Sequence, residues 1–131
     1  TNSDLKKWKN FQILGKIPHE EVLRLMGKSL IYIGNSNSDG MPNTMLEAIF
    51  MGAFPIQSNP GGATAELIQN GANGLLIEDC EDVEKIKEIV IHAVNNCNFE
   101  KAESLNQVEI VPKLHYMKVK NEVISIYKKL N

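Results

Sequence analysis

Short apolar runs alternate with longer amphipathic stretches along the whole chain, and turns rich in Gly, Asn, Ser and Pro separate them. This alternation is the feature that most constrains the fold. A run of four or five apolar, partly β-branched residues suits a strand covered on both faces. Apolar residues recurring every three or four positions suit a helix lying on such a sheet. Repeated, the two predict βα units: an α/β domain with a parallel sheet of about four strands and flanking helices.

The elements can be placed along the chain. Ser3 caps a short helix through Asn10, and Phe11–Leu14 reads as a strand. Gly15–Pro18 is a loop, followed by a helix over His19–Lys28 that Pro18 starts. Leu30–Ile33 is a strand with both faces covered, Gly34–Asn43 a loop, and Thr44–Met51 a helix stopped by Gly52. Ala53–Gln57 is a strand, Ser58–Gly62 a loop, Ala63–Asn70 a helix ended by Gly71, and Gly74–Ile77 a strand. Asp79 caps a long helix whose apolar stripe is Val83, Ile86, Ile89, Val90, Ala93, Val94 and Cys97. Residues 98–112 hold one short helix around Lys101, and Leu114–Leu130 closes the chain as a helix. Right-handed crossovers place the strand-exit loops 15–18, 34–43, 58–62 and 78–79 on one sheet edge, where ligands of open α/β sheets bind. Two of these loops are glycine-rich and enter a helix N-terminus, an arrangement that receives anions.

Composition excludes several classes of function. The chain has 131 residues, enough for one domain with its own core, and a net charge of −2, which argues against a nucleic-acid footprint. Arg24 is the only arginine among the 14 basic residues, so no phosphate site built on bidentate arginines can come from this chain alone. Cys80 and Cys97 fit no zinc spacing and read as two reduced, partly buried thiols. His19, His92 and His115 are scattered, with His92 on a solvated face; no metal site is expected. No P-loop, nucleophile elbow or Asp-x-Asp motif occurs. Asp79, Glu81, Asp82 and Glu84 read as a solvated helix start, and Lys118, Lys120, Lys128 and Lys129 as a solvated face. No apolar run is long enough to span a membrane, and the start Thr1-Asn2-Ser3-Asp4 has neither signal-peptide character nor an initiator methionine. The expected compartment is the cytosol, including the inner face of its membrane, and residues upstream of Thr1 are expected to have been removed.

Chemistry concentrates in Asn35–Ala48. This stretch leaves a strand, turns at Gly40 and enters a helix near Pro42 or Asn43. Unpaired N–H groups and about half a positive charge at that helix start suit a diphosphate. Glu47 stands out among the apolar Met45, Leu46, Ala48, Ile49 and Phe50, and shares a face with Asn43 and Thr44. A carboxylate there can accept the two hydroxyl hydrogen bonds that a ribose offers. It can equally pair with a lysine or satisfy a backbone group, and the residues alone leave both readings open. Asp39 precedes it with seven residues between them, a spacing that carries little by itself, and Asp39-Gly40 is also a good turn former.

Ser36, Asp39-Gly40-Met41-Pro42-Asn43-Thr44-Met45-Leu46-Glu47-Ala48, Gly52, Pro55, Gly61-Gly62, Glu66 and Asn73-Gly74 together resemble the donor-binding half of a GT-B glycosyltransferase of family 4, also called group 1. The resemblance runs from Phe11 through Ile77. It implies a Rossmann-like C-terminal domain and transfer of a hexosyl group from a UDP- or GDP-linked sugar, usually with retention, with no metal or other cofactor. It places Glu47 at the ribose hydroxyls and Asp39, where the family more often has glutamate, at the donor sugar. Gly40, Met41 and Asn43 fall on the turn whose N–H groups meet the sugar; Pro42 has none to give. Thr44 and Met45 fall under the diphosphate, Gly15, Lys16 and Ile17 beside the base, and Ser36, Gly61, Gly62 and Glu66 on the pocket wall.

The family's early arginine and lysine clamp and its N-terminal acceptor domain have no counterpart here. The chain therefore resembles about two-thirds of one domain and is expected to transfer no sugar alone. Its exposed sheet edge is expected to drive self-association, and bacterial surface-polysaccharide or glycolipid synthesis is the expected setting, with the parent enzyme able to lie at a membrane. Two alternatives stand beside this: a non-catalytic nucleotide- or partner-binding module, and a sugar-nucleotide epimerase of similar architecture.

Overall fold

The computed structural model describes residues 9–37, 40–114 and 128–129. Helix α1 (His19–Lys28) leads into strand β1 (Ile31–Gly34), helix α2 (Asn43–Met51) and strand β2 (Phe54–Ser58). A 3₁₀ turn (Thr64–Glu66), strand β3 (Leu75–Ile77) and helix α3 (Val83–Asn96) follow. Helix α4 (Phe99–Leu105) continues through a π-helical segment (Asn106–Ile110) into α5 (Val111–Leu114). The sheet is parallel in the order β1-β2-β3, with Ile33 opposite Ile56 and Ile56 opposite Leu75.

Side-chain alternation divides the core between the two faces of the sheet. Tyr32 and Leu76 join Leu23, Met26, Met45, Leu46, Ile49, Leu67, Ile68, Ile110 and Leu114 on one side. Phe54, Ile56, Leu75 and Ile77 meet Ala93, Ala102, Ile86, Ile89 and Val90 on the other, where the Phe54 and Phe99 rings pack edge to face at 5.1 Å. α2 is apolar nearly all round, and accordingly it is buried between α1 and the sheet. It ends where Gly52 takes the left-handed conformation (φ 98°) and donates its N–H to the carbonyl of Ile49.

Five sequence expectations need correction. Phe11–Leu14 forms no strand: Phe11, Ile13 and Leu14 are exposed, and among the described residues β1 pairs only with β2, in a sheet of three strands. An apolar, β-prone run becomes a strand only when a ladder partner stands beside it. β1 is not covered on both faces, since α3 lies over β3 and leaves Ile33 exposed.

The helix expected over Ala63–Asn70 stops after one 3₁₀ turn, because Asn73 captures its backbone. The Gln69 N–H, which a continuing helix would give to Ala65, donates to Asn73 Oδ1 at 2.7 Å. The Leu67 carbonyl accepts from Asn73 Nδ2 at 2.9 Å, and the Gly71 N–H turns to Gly74.

The cap of α3 is Asp82, whose Oδ1 accepts the Lys85 N–H at 3.0 Å. Asp79 instead closes a local turn by accepting the Glu81 N–H. Asp82→Ala should therefore lower stability by about 1 kcal/mol in urea denaturation, and Asp79→Ala by clearly less. On the predicted α3 stripe, Val83 and Val94 are exposed while Ala93 is fully buried.

Residues 98–112 are far more ordered than the single short helix expected. Asn98 caps α4 by accepting the Lys101 N–H, and the π-helical segment joins α4 to α5. The helices expected over Ser3–Asn10 and Leu114–Leu130 lie outside the described residues, wholly or nearly so. Cys80 and Cys97 are free, half-buried thiols as expected, and burial pushes the Cys97 thiol up.

Candidate functional site

Side-chain hydrogen bonds tie the three strand-exit loops into one edge. The Ser36 N–H donates to Ser58 Oγ at 2.8 Å, and that hydroxyl donates back to the Ser36 carbonyl at 2.9 Å. Thr64 Oγ1 donates to the Ser58 carbonyl, which anchors the loop holding Gly61 and Gly62. Asn35 Nδ2 donates to the Cys80 carbonyl at 2.8 Å, and the Cys80 thiol meets Asn37 Oδ1. Ser58 is buried at the end of a strand that turns polar at Gln57-Ser58, and that polar exit was the available sequence signal for this clasp.

α2 starts from this clasped edge. Pro42 precedes it with no side-chain cap, and the first intrahelical bond runs from the Leu46 N–H to the Pro42 carbonyl. The N–H groups of Asn43, Thr44 and Met45 therefore stand ahead of the helical ladder, the geometry that receives an anion. Asn43 and Thr44 are exposed; the Met45 side chain is fully buried, so Met45 can face a ligand only through its backbone. Gly40 is exposed and Met41 packs half-buried against the core. Asp39 lies outside the described residues.

Glu47 lies one turn into α2, and its side chain retains 15% of its exposure. Its Oε1 is 3.3 Å from Nε2 of His19, the first residue of α1. This contact joins the loop carrying Gly15, Lys16 and Ile17 to the start of α2. Gly15 takes a left-handed conformation (φ 65°), Lys16 is exposed and Ile17 half-buried. The Tyr32 phenol is held above the ordinary tyrosine range, first by burial and then by the Glu47 carboxylate. Among the described residues Glu47 meets a histidine, and its charge is felt by a tyrosine.

Gly34 is required beside them, because a Cβ there would overlap Gln57 Oε1 and the Tyr32 hydroxyl. Gln57 is buried, and its Oε1 has no hydrogen-bond partner among the described residues. Gly62 (φ 87°) has open space around its Cα, and Glu66 is exposed on the 3₁₀ turn. These loop residues share the ligand edge but make none of its ties.

Sequence reasoning set His19 aside with the other histidines. The signal it carried was its place directly after Pro18, at a helix start on the ligand edge. Arg24 is on the exposed side of α1, 3.8 Å from Glu21, a surface pair of small energetic weight. His92 is exposed beside Asn96. Among the described residues no group of three or more His, Cys, Asp or Glu could hold a metal ion, and no helix is long and apolar enough to cross a membrane.

No curated protein matches the chain. The family model of the glycosyl transferases, group 1, matches residues 3–109, which takes in α1, α2, the whole sheet and all three clasped loops. With that match over well above half of its length, the chain belongs to the group 1 glycosyl transferases.

Proposed function

We propose that the clasped edge binds the donor of the glycosyl transfer, a nucleotide diphosphate sugar linked to UDP or GDP. The observation that carries this reading is Glu47: a largely covered carboxylate beside three N–H groups that precede the helical ladder. Carboxylate and N–H groups have opposite preferences. The first accepts hydroxyls and the second receive anions, and a ribose joined to a diphosphate presents both. Glu47 holds the ribose; Asn43, Thr44 and Met45 stabilise the leaving diphosphate. Asp39, Gly40 and Met41 reach the sugar, Gly15, Lys16 and Ile17 border the base, and Ser36, Gly61, Gly62 and Glu66 shape the wall. In this reading the transfer is of a hexosyl group with retention, in surface-polysaccharide or glycolipid synthesis.

Calorimetry with UDP, GDP and their sugar conjugates tests the proposal. Binding that Glu47→Ala weakens supports it, and binding that Glu47→Ala leaves unchanged overturns the ribose role.

A nucleotide-binding module without transfer is a second reading, favoured by one observation: the single arginine pairs with Glu21 rather than with the phosphate edge. Sugar transfer or donor hydrolysis by the chain would overturn it.

We also propose self-association of two copies through β1. Among the described residues β1 has a ladder neighbour on one side only, and Leu30 and Ile33 are exposed at 60% and 49%. Unpaired strand edges flanked by apolar side chains template pairing. Ile33→Lys is expected to shift the chain toward monomer in sedimentation equilibrium; a wild-type chain that stays monomeric across the concentration range overturns this.

A further inference from the structure

We propose that His19 is a positioning residue for donor binding: it holds the Glu47 carboxylate in the orientation that accepts the ribose hydroxyls. This inference rests on the ribose role of Glu47 proposed above.

Three observations on the structure carry it. His19 Nε2 lies 3.3 Å from Glu47 Oε1, within reach of a hydrogen bond that strengthens when the imidazole is protonated. The contact spans two helices that start from different loops, so it exists only because α1 packs on α2. The exposures are also graded: His19 retains 43% and Glu47 15%, which puts the imidazole at the rim and the carboxylate beneath it.

The chemistry favours positioning over occlusion. An ionised carboxylate offers about four lone-pair directions across two oxygens. In this proposal His19 occupies one of them on Oε1. Oε2 and the remaining lone pair of Oε1 are left for the two adjacent hydroxyls of a ribose. A glutamate at this point without a partner has three side-chain torsions to fix when ligand arrives, and ordering them opposes binding. The imidazole orders them beforehand, which is how pre-organisation raises affinity. His19 needs no contact with the nucleotide to act in this way.

The test is calorimetric and uses UDP and GDP beside their 2′,3′-dideoxy counterparts. Glu47→Ala, His19→Ala and His19→Gln are compared with the wild-type chain, each checked for an unchanged melting temperature. His19→Ala is expected to weaken the normal nucleotide about three- to tenfold and the dideoxy nucleotide less than twofold. His19→Gln, whose Nε2 can still donate to the carboxylate, is expected to restore most of the loss. A general structural role would weaken both nucleotides alike and would not respond to a glutamine. Equal losses for the two nucleotides, or none, with Glu47→Ala still selective for the ribose hydroxyls, overturn the role of His19 and leave that of Glu47 standing. If Glu47→Ala itself shows no such selectivity, the ribose reading falls and this inference with it.

Discussion

Asn73→Ala is expected to lower the free energy of unfolding by about 3–5 kcal/mol, the largest effect of any single polar substitution in the described residues. The Asn73 side chain is buried and makes three hydrogen bonds: to the Gln69 N–H, the Leu67 carbonyl and Asn106 Oδ1. Asn106 returns a bond from its own Nδ2 to the Asn73 carbonyl, so two asparagines join the turn after the 3₁₀ segment to the π-helical segment. Removing the amide leaves two buried acceptors and a part-buried N–H without it, and each unsatisfied buried group costs about 1–3 kcal/mol. Gly74 follows directly, and the space where its Cβ would stand is closed by the Pro55 carbonyl at 2.7 Å. Urea denaturation measures the effect. A loss below about 1 kcal/mol would mean that the backbone rebuilds the missing helix turn and that Asn73 does not determine where the turn ends.

Glu47→Ala is expected to weaken nucleoside diphosphate binding about 30- to 100-fold. A hydrogen bond to a charged group contributes about 1.5–3 kcal/mol, and a ribose can make two, from which water recovers a part. Glu47→Gln keeps one acceptor oxygen and should fall between the alanine variant and the wild type. The carboxylate is largely covered, so the alanine variant also leaves space beside Tyr32 and His19, and its melting curve has to accompany the calorimetry. With Glu47 gone, the Tyr32 phenol should titrate closer to the ordinary range, because one of the two causes that raise it is removed.

Much of the fold was legible in the sequence because its cues are local. Thr44–Met51 differs from the observed α2 by one residue, since an apolar helix closed by a glycine states its own end. The strands at Leu30, Ala53 and Gly74 each lie within a residue of their observed starts, because apolar runs between turns carry their own boundaries. The family motif likewise marked Glu47, whose polarity inside an apolar helix is visible without any structure.

The misreadings share one cause. Phe11–Leu14 has the composition of a strand but is exposed and joins no strand of the described sheet. Ala63–Asn70 has the composition of a helix, yet a side chain several residues downstream takes the bonds that would have continued it. Asp79 and Asp82 are both good caps, and only the path of the backbone selects between them. His19 looked isolated because its partner is in another helix.

The sequence by itself determined the α/β class, the place of most elements, the glycine-rich loops and the family. Propensity, periodicity and turn chemistry are properties of neighbouring residues. The tertiary structure alone decided which apolar runs became strands, that Ser36, Ser58 and Cys80 clasp the loops together, and that a histidine stands against Glu47. Those facts depend on groups far apart in the chain, and such groups acquire partners only when helices and strands pack.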